Sequence, residues 1–267
     1  MNNRTRNFAT LPLAVLLVLA AGCSASDKSP TSVALDILSP AAAANKVMQG
    51  DQALSNMMKE SSMNRAPALG FAAPFAILAG STVTNTGLTV VTGDLGLSPG
   101  SAVTGFPPGI LNGVRHITDP TAALAKADLT KAYNDLAGRT LAPILVAGNL
   151  GGRTLTPGLY KSTSSLEISS GDLTLDARGN SNAVFIFQMA STLMTTSGRA
   201  VILSGGAKAS NVFWQVGSSA TLGTTSAFKG TIMADQSISL NTGATLNGRA
   251  LARIGAVTLA GNAVVRP

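Results

Sequence analysis

Short apolar runs separated by turn-forming residues dominate the C-terminal end of the chain. From residue 211 the sequence runs VFWQV, SSATLG, TTSAFKG, then TIMA, DQSISLN, TGATLNG, then RALA, RIGAVTL, AGNAVV. Apolar and polar residues alternate within these runs, as at Ile238 with Leu240 and at Val257 with Leu259, which is typical of strands with one buried face. Three such strands fill one coil of a triangular β-solenoid whose coils stack as parallel strands about 4.8 Å apart.

A recurring turn residue separates two strands of each coil. We place it at Gly87, Gly171, Gly198, Ala227, Gly243 and Gly261. The longer coils leave room for surface loops at 176–182 and 204–210, which are rich in turn formers. The segments NTGLT at 85–89 and NTGAT at 241–245 are nearly identical, so we expect one solenoid to contain both.

One segment has helical rather than strand periodicity. Asp119 and Pro120 supply an N-cap and a first-turn signal, and Gly138 supplies a stop. Apolar residues recur at helical spacing between them, at Ala125, Leu129, Ala132 and Leu136. The pattern predicts an amphipathic helix over 120–137, packed along one side of the solenoid.

The segment before the helix, 98–118, is rich in proline and glycine. Pro99, Pro107 and Pro108 lie within it, and proline cannot donate to a strand ladder. We therefore predict an irregular loop that caps one open end of the solenoid, because an uncovered end would expose unpaired strand edges.

The chain begins with the features of an export signal. Arg4 and Arg6 precede an apolar run over 11–21, and the only cysteine, Cys23, follows it. This order resembles a bacterial lipobox, in which the cysteine is acylated, and the alternative is an ordinary signal with a chance cysteine. We predict a signal peptide over 1–22 and a membrane partner reached through a lipid anchor on Cys23. The protein is then exported and lipid-anchored to the cell envelope, at the outer membrane or cell surface.

Residues 23–70 differ from the solenoid in composition. They are polar and rich in alanine, and residues 45–62 can form a short helix broken by Gly50. We predict a flexible tether, with a helical cap on the folded domain as the alternative. The solenoid domain is then 71–267.

Composition and charge exclude several classes of function. Hydrophobic residues make up 45% of the chain and charged residues 12%, so most of it folds. The net charge of +7 is spread along the chain without aromatic interleaving, which argues against a nucleic-acid partner. One cysteine and one histidine exclude a disulfide scaffold and a Cys/His zinc site. We expect a monomer that binds no metal or cofactor.

Hydroxyl side chains recur on the outward positions of the middle strand. We align Ser165, Thr192, Thr221, Ser237 and Ala256 as one column, and Glu167, Met194, Gly223, Ser239 and Thr258 as the column beside it. A third set, Thr196, Thr224 and Thr242, falls at the following corner. Spacings of about 4.8 Å between coils and 6.6 Å along a strand approach those of oxygen atoms in ice. Threonine also favours exposed strand positions for reasons unrelated to ice.

Several long motifs resemble the microbial ice-binding proteins. They are GDLGLSPG at 93–100, VTGFPPG at 103–109, AKADLTKAYNDLAGRT from 125, LTPGLYK at 155–161, AVFIFQ at 183–188, NVFWQVGSSATLGT at 211–224 and GRALAR at 248–253. The resemblance covers about 71–267. It implies an all-β dominated fold, a discontinuous right-handed triangular parallel β-solenoid with one long α-helix alongside. In that fold the first coil, from the N-terminal part, joins the later coils after an excursion through the cap and helix.

The resemblance also implies a non-catalytic protein that adsorbs to ice through a flat face away from the helix. Its partner is the ice crystal surface, and the effect is to limit ice growth or recrystallisation, or to attach the cell to ice. The family motif of Thr, Ala or Gly, any residue, then Thr or Asn is met at 86–89 and 242–245. The predicted ice-binding residues are Thr86, Thr192, Thr196, Thr221, Thr224, Ser237, Ser239, Thr242, Thr245 and Thr258. Because Glu167 and Met194 interrupt the columns, we expect weak to moderate activity.

Two other functions remain open at this stage. A surface-anchored adhesin or matrix protein binding glycan or protein would use the same fold. A β-helical lyase or hydrolase would need clustered acids, whereas Glu167, Asp172, Asp176 and Asp235 are scattered along the sequence. The chain is therefore not expected to be an enzyme.

Overall fold

The computed structural model describes residues 45–52, 55 and 64–267. Contacts divide the chain into the units Met1–Gln49 and Gly50–Pro267, and all strands lie in the second. The predicted signal peptide, Cys23 and most of the predicted tether lie outside the described residues. Among the residues that are described, no helix combines the length and the apolar composition needed to cross a membrane.

Twenty-three strands and one α-helix form the solenoid domain, and residues 45–52 and 55, which precede it in the chain, are also helical. They are β1 (Phe75–Ala79), β2 (Thr82–Thr86), β3 (Val90–Thr92), β4 (Asp94–Leu97), β5 (Ala102–Thr104), β6 (Ile110–Asn112), β7 (Arg115–Ile117), α1 (Pro120–Ala137), β8 (Ile144–Leu145), β9 (Gly148–Asn149), β10 (Thr154–Leu155), β11 (Gly158–Ser162), β12 (Leu166–Ile168), β13 (Leu173–Asp176), β14 (Phe185–Met189), β15 (Leu193–Thr195), β16 (Val201–Ser204), β17 (Val212–Val216), β18 (Ala220–Leu222), β19 (Ala227–Ala234), β20 (Ile238–Leu240), β21 (Thr245–Ala252), β22 (Val257–Ala260) and β23 (Ala263–Val265). Short 3-10 helices at Gly70–Ala72 and Ala209–Asn211 complete the set.

The strands form the three sides of a parallel β-solenoid, as predicted. The helix side runs β8-β11-β14-β17 and continues through the second halves of β19 and β21 to β1, β4 and β7. The eight-stranded sheet runs β9-β12-β15-β18-β20-β22-β2-β5. The third side holds β10-β13-β16, the first halves of β19 and β21, then β23, β3 and β6.

The two long strands cross from the third side to the helix side without a break. Gly230 and Gly248 lie at this crossing and pair with each other. Gly230 has a φ of +106°, and a Cβ on Gly248 would lie 1.9 Å from the Gly230 carbonyl oxygen. Only glycine allows the backbones of β19 and β21 to turn this corner so close to each other.

The solenoid is discontinuous in sequence. Strands β1 and β2 pair with β21 and β22, and β3 pairs with β23, so the N-terminal coil stacks on the last C-terminal coil. The coil of β4, β5 and β6 then stacks on the first. This confirms that the segments at 85–89 and 241–245 belong to one solenoid.

The segment 98–118 is ordered as part of the stack, which corrects the prediction of an irregular cap. It contains β5, β6 and β7, which extend the three sides at this end. Pro99 lies in the connection before β5, and Pro107 and Pro108 lie in the connection between β5 and β6, where no ladder hydrogen bond is needed. A proline-rich sequence is therefore compatible with a coil whose prolines lie only at its corners.

The helix has the predicted bounds. The Asp119 carboxylate accepts a hydrogen bond from the backbone N–H of Ala122, and Gly138 is the C-cap. The predicted apolar positions are buried, together with Ala122 and Tyr133. They pack on the outward side chains of the helix side, among them Phe213, Met233 and Leu251, and form a second apolar cluster outside the solenoid interior. Ala66 and Leu69 also contact this cluster, so packing begins before the predicted domain boundary at 71.

Aromatic side chains fill one end of the solenoid interior. Tyr160, Phe187, Trp214 and Phe228 follow one another along the stack, with ring centroids 5.1, 3.9 and 5.0 Å apart. Trp214 is fully buried and therefore belongs to the core. On the helix side, β14 and β17 are buried on both faces because the helix covers their outer surface.

One predicted turn position is wrong. The turn after the eight-stranded sheet needs a residue with positive φ, supplied by glycine in most coils and by Thr225 (φ 56°) in the coil where Ala227 was predicted. Ala227 instead begins β19 and pairs with Thr245. With Thr225 in place the spacing becomes regular, since 198 − 171 and 225 − 198 are both 27 residues, and 243 − 225 and 261 − 243 are both 18.

Candidate functional site

The outer surface of the eight-stranded sheet carries a column of aligned side chains. Strand alternation points Val83, Leu166 and Ile238 into the core and their neighbours outward. The outward residues at the middle of the strands, in stacking order, are Asn149, Glu167, Met194, Thr221, Ser239, Thr258, Thr84 and Thr104. We call these eight positions the central column, and the last five form an unbroken run of hydroxyl side chains.

Two further columns flank the central one. The column before it contains Ser165, Thr192, Ser219, Ser237, Ala256 and Thr82, and the column after it contains Ser169, Thr196, Gly223, Asn241, Ala260 and Thr86. Hydrogen bonds join neighbours along the stack. The Thr192 hydroxyl donates to the Ser165 hydroxyl at 2.8 Å, and the backbone N–H of Ser237 donates to the Ser219 hydroxyl at 3.3 Å.

The predicted alignment was wrong by two residues in one coil. Thr221 pairs with Met194 and Ser239, so it belongs to the central column rather than beside Thr192 and Ser237. Ser219 holds the place that was assigned to Thr221. Ser219, Thr221 and Gly223 all alternate with inward residues, so side-chain period alone allowed either register and only strand pairing decides.

The structure separates the predicted corner residues. Thr86 is the last residue of β2 and Thr196 directly follows β15, while Thr224 and Thr242 are exposed in the turn after the eight-stranded sheet. Thr245 is the first residue of β21 and faces solvent on the third side, and its ice-binding role stays a prediction.

The two similar segments at 85–89 and 241–245 differ in register by one residue. Asn85 points inward opposite Leu259, whereas Asn241 is exposed in the column of Thr86. As a result Thr89, the second threonine of the first motif, is fully buried. The same residue types at equivalent positions of the two segments therefore differ in whether their side chains are buried or exposed.

Thr84 and Thr104, which were not among the predicted residues, extend the central column. Both lie in strands from the N-terminal part, β2 and β5, which stack beyond β22. The alternation in TVTNT at 82–86 was a sufficient signal for an outward threonine at 84. Only the stacking order shows that this threonine adjoins Thr258.

The charge on this surface is confined to one end. Glu167 is the only ionisable residue in the eight-stranded sheet as the structure describes it, and its carboxylate accepts a hydrogen bond from Ser169 at 2.9 Å. Met194 beside it is 44% exposed. The groups with shifted pKa values lie elsewhere, as at Lys126 in α1, where burial and then Arg253 lower the pKa to about 8.

Potential metal ligands are not clustered in the described part of the chain. It holds no group of three or more His, Cys, Asp or Glu residues that could bind a metal ion. His116 lies in β7, where its Nδ1 is 2.7 Å from the Asp119 carboxylate and its ring contacts Phe75 edge-on. These contacts tie β7 to the helix N-cap and to the core.

Comparisons with known proteins identify the family of the chain. A family described as ice-binding-like matches residues 77–265. The ice-binding protein of Nostoc sp. (strain HG1) is 48% identical over 79% of this chain and 78% of its own length, and that of Flavobacterium frigoris (strain PS1) is 40% identical over 96% of both. The crystal structure of an ice-binding protein from an Antarctic biological consortium is 62% identical with a TM-score of 0.74, covering 75% of this chain and 91% of that one. The chain therefore belongs to the ice-binding-like family.

Proposed function

We propose that the protein binds ice through the hydroxyl half of the central column, the five residues Thr221, Ser239, Thr258, Thr84 and Thr104. The single observation that carries this proposal is their register, since each residue is the Cα partner of the next across five neighbouring coils. Ice is proposed as the ligand because the relatives are ice-binding proteins. The surface is proposed from the register of these five residues.

The spacing of this half suits an ordered lattice of water. Neighbouring strands lie about 4.8 Å apart, so five coils span roughly 19 Å, and residues two apart on a strand lie about 6.6 Å apart. Threonine presents a methyl group beside each hydroxyl, so the surface can order water without a strongly hydrated charge. The opposite outer surface, the helix side, is covered by α1 and cannot meet a crystal.

A matched pair of variants tests the surface. Thr258→Tyr places a ring on an exposed position at the centre of the column, between Ser239 and Thr84. Thr92→Tyr makes the same change at an exposed threonine on the third side. Thermal hysteresis and ice recrystallisation inhibition are measured on the purified full chain, with circular dichroism as the folding control.

We expect Thr258→Tyr to lose most of the ice activity, because a protruding ring keeps the surrounding hydroxyls away from the crystal. Thr92→Tyr should retain the parent activity. Equal loss in both variants, or full activity in Thr258→Tyr, would remove the eight-stranded sheet as the ice-binding surface.

We further propose that a single chain binds ice as a monomer, limits its growth or recrystallisation and is held at the cell envelope by a lipid on Cys23. The support is the lipobox-like sequence that ends at Cys23, which lies outside the described residues. Metabolic labelling with a fatty-acid analogue should mark the membrane fraction of the parent and not of Cys23→Ser. Unlabelled parent in the soluble fraction would instead indicate a secreted protein. Size-exclusion chromatography tests the monomer.

A further inference from the structure

The hydroxyl half of the central column is assembled from two distant parts of the chain. Thr221, Ser239 and Thr258 come from β18, β20 and β22, whereas Thr84 and Thr104 come from β2 and β5. The two parts meet where β22 pairs with β2, with Thr258 opposite Thr84. No short connection joins these strands, so their alignment depends on contacts between the two parts.

A buried polar network lies directly behind this junction. The backbone N–H of Asn262 donates to the Thr89 hydroxyl at 3.0 Å, and that hydroxyl donates in turn to the Asn85 carboxamide oxygen. Asn85, Thr89 and Asn262 are 4%, 0% and 3% exposed. The single Thr89 hydroxyl therefore links the N-terminal coil to the last C-terminal coil.

The network reaches one coil further on each side. The Asn262 carboxamide donates to the carbonyls of Asn241 and Ala244, both at 2.9 Å, in the coil of β20. The Asn85 carboxamide donates to the carbonyl of Gly105 at 2.8 Å, just after β5. The network as a whole thus connects four of the five coils that carry the hydroxyl half, namely those of β20, β22, β2 and β5.

These contacts lie at a place where the coils differ in length. Thr258 pairs with Ser239 and Ala263 pairs with Thr245, yet one residue fewer separates Thr258 from Ala263 than separates Ser239 from Thr245. The corner after β2 is again one residue longer than the corner after β22. Thr84 pairs with Thr258 and Val90 pairs with Ala263, yet one residue more separates Thr84 from Val90 than separates Thr258 from Ala263. A slip of two residues here would keep the apolar residues inward but would move the hydroxyls of one part out of line with those of the other. Apolar packing is non-directional and accepts such an even slip, whereas directed hydrogen bonds oppose it.

We propose that Thr89 is a positioning residue, acting together with Asn85 and Asn262. It holds the two parts of the hydroxyl half in register with each other, so that their hydroxyls can contact ice together. This inference rests on the proposed function of that half. Thr89 is buried and does not contact ice itself. It acts through Thr84 and Thr258, whose strands it ties together.

The test is Thr89→Val, which keeps the shape and removes the hydroxyl, beside Thr89→Ser, which keeps the hydroxyl. The matched control is Thr195→Val, because Thr195 is also a buried threonine whose hydroxyl accepts a backbone hydrogen bond, from Gly223 at 2.8 Å. Thermal hysteresis of the full chain is measured near 0 °C, with melting temperatures by circular dichroism.

We expect hysteresis to fall about twofold or more in Thr89→Val, because two of the five coils lose their fixed alignment. Thr89→Ser should match the parent, and Thr195→Val should keep its activity although both valine variants melt earlier. Full activity in folded Thr89→Val, or an equal loss in Thr195→Val, would overturn the positioning role. If Thr258→Tyr also keeps full activity, the proposed surface itself has failed, which is a separate outcome.

Discussion

The two halves of the central column share one scaffold and differ in their outer chemistry. In the coils of β9, β12 and β15 the outward residues are Asn149, Glu167 and Met194, whereas the next five coils present only hydroxyls. The inward partners stay apolar on both sides of the boundary, as at Leu166 and Ile238. The core pattern therefore specifies the solenoid along its whole length, while the ligand surface is specified by outward residues that the fold does not constrain.

The halves also differ in coil length. Coils of 27 residues lie on the Met194 side, and they carry long loops after β13 and β16. Coils of 18 residues follow Thr225. The compact coils are those with the regular hydroxyls, as expected where repetition of the outer surface matters more than the addition of loops.

Substitution by tyrosine in each half of the central column gives the largest expected difference between the two halves. Thr84→Tyr should reduce hysteresis to below about a tenth of the parent, because the ring stands near the centre of the hydroxyl half. Met194→Tyr should change it by less than about twofold, because that position already carries a long side chain outside the proposed contact. Both are measured at equal protein concentration.

Similar losses in the two variants would mean that ice contacts the whole sheet and that the boundary at Thr221 has no functional meaning. Folding is checked by melting temperature, since Met194 is 44% exposed and Thr84 is half-buried. The comparison holds only for variants that melt close to the parent.

Extending the hydroxyl half sharpens the comparison in the opposite direction. Glu167→Thr with Met194→Thr would lengthen the run from five coils to seven. We expect about a twofold gain in hysteresis, because the uncharged column grows along the stack. A control with Thr174→Ser on the third side should leave activity unchanged. No gain would show that outward chemistry is not what limits activity in this half.

The sequence was sufficient for elements with a local signal. The helix at 120–137 has its own cap, apolar stripe and stop, and each acts within a few residues. The strands of the later coils alternate clearly enough to predict their inward residues, such as Val257 and Leu259. These features depend on neighbours along the chain, so they could be inferred without knowledge of the fold.

Register between coils could not be inferred in the same way. Thr221 was placed two residues from its true column, and Thr84 was missed, because strand pairing joins residues far apart in sequence. Alternation of period two accepts any even shift. Ala227 was mistaken for a turn residue because the turn is defined by a positive φ, which Thr225 adopts without the usual glycine.

A smaller effect tests where the proposed surface ends. Thr245 is exposed on the third side, just past the turn that contains Thr242. Thr245→Tyr should lower hysteresis by less than about twofold, because rim positions contribute little to a contact. Thr242→Tyr, nearer the sheet, should be more damaging when both are measured by ice recrystallisation inhibition. A reversed order would place the ice contact on the third side.

The smallest effect concerns the coil where the halves meet. Thr225 has a φ of 56°, a conformation that costs a β-branched residue about 1 kcal/mol or more and suits glycine. Thr225→Gly removes this strain and loses only the hydrogen bond from its hydroxyl to the Thr224 carbonyl. We therefore expect stabilisation by about 1 kcal/mol, or roughly 2–4 °C in melting temperature for a domain of this size. Thr224→Gly is the matched control, since Thr224 is not among the residues with positive φ and gains nothing from glycine. Equal shifts in melting temperature in the two variants would mean that Thr225 is not strained. The change in coil length at this point would then not lower the stability of the fold.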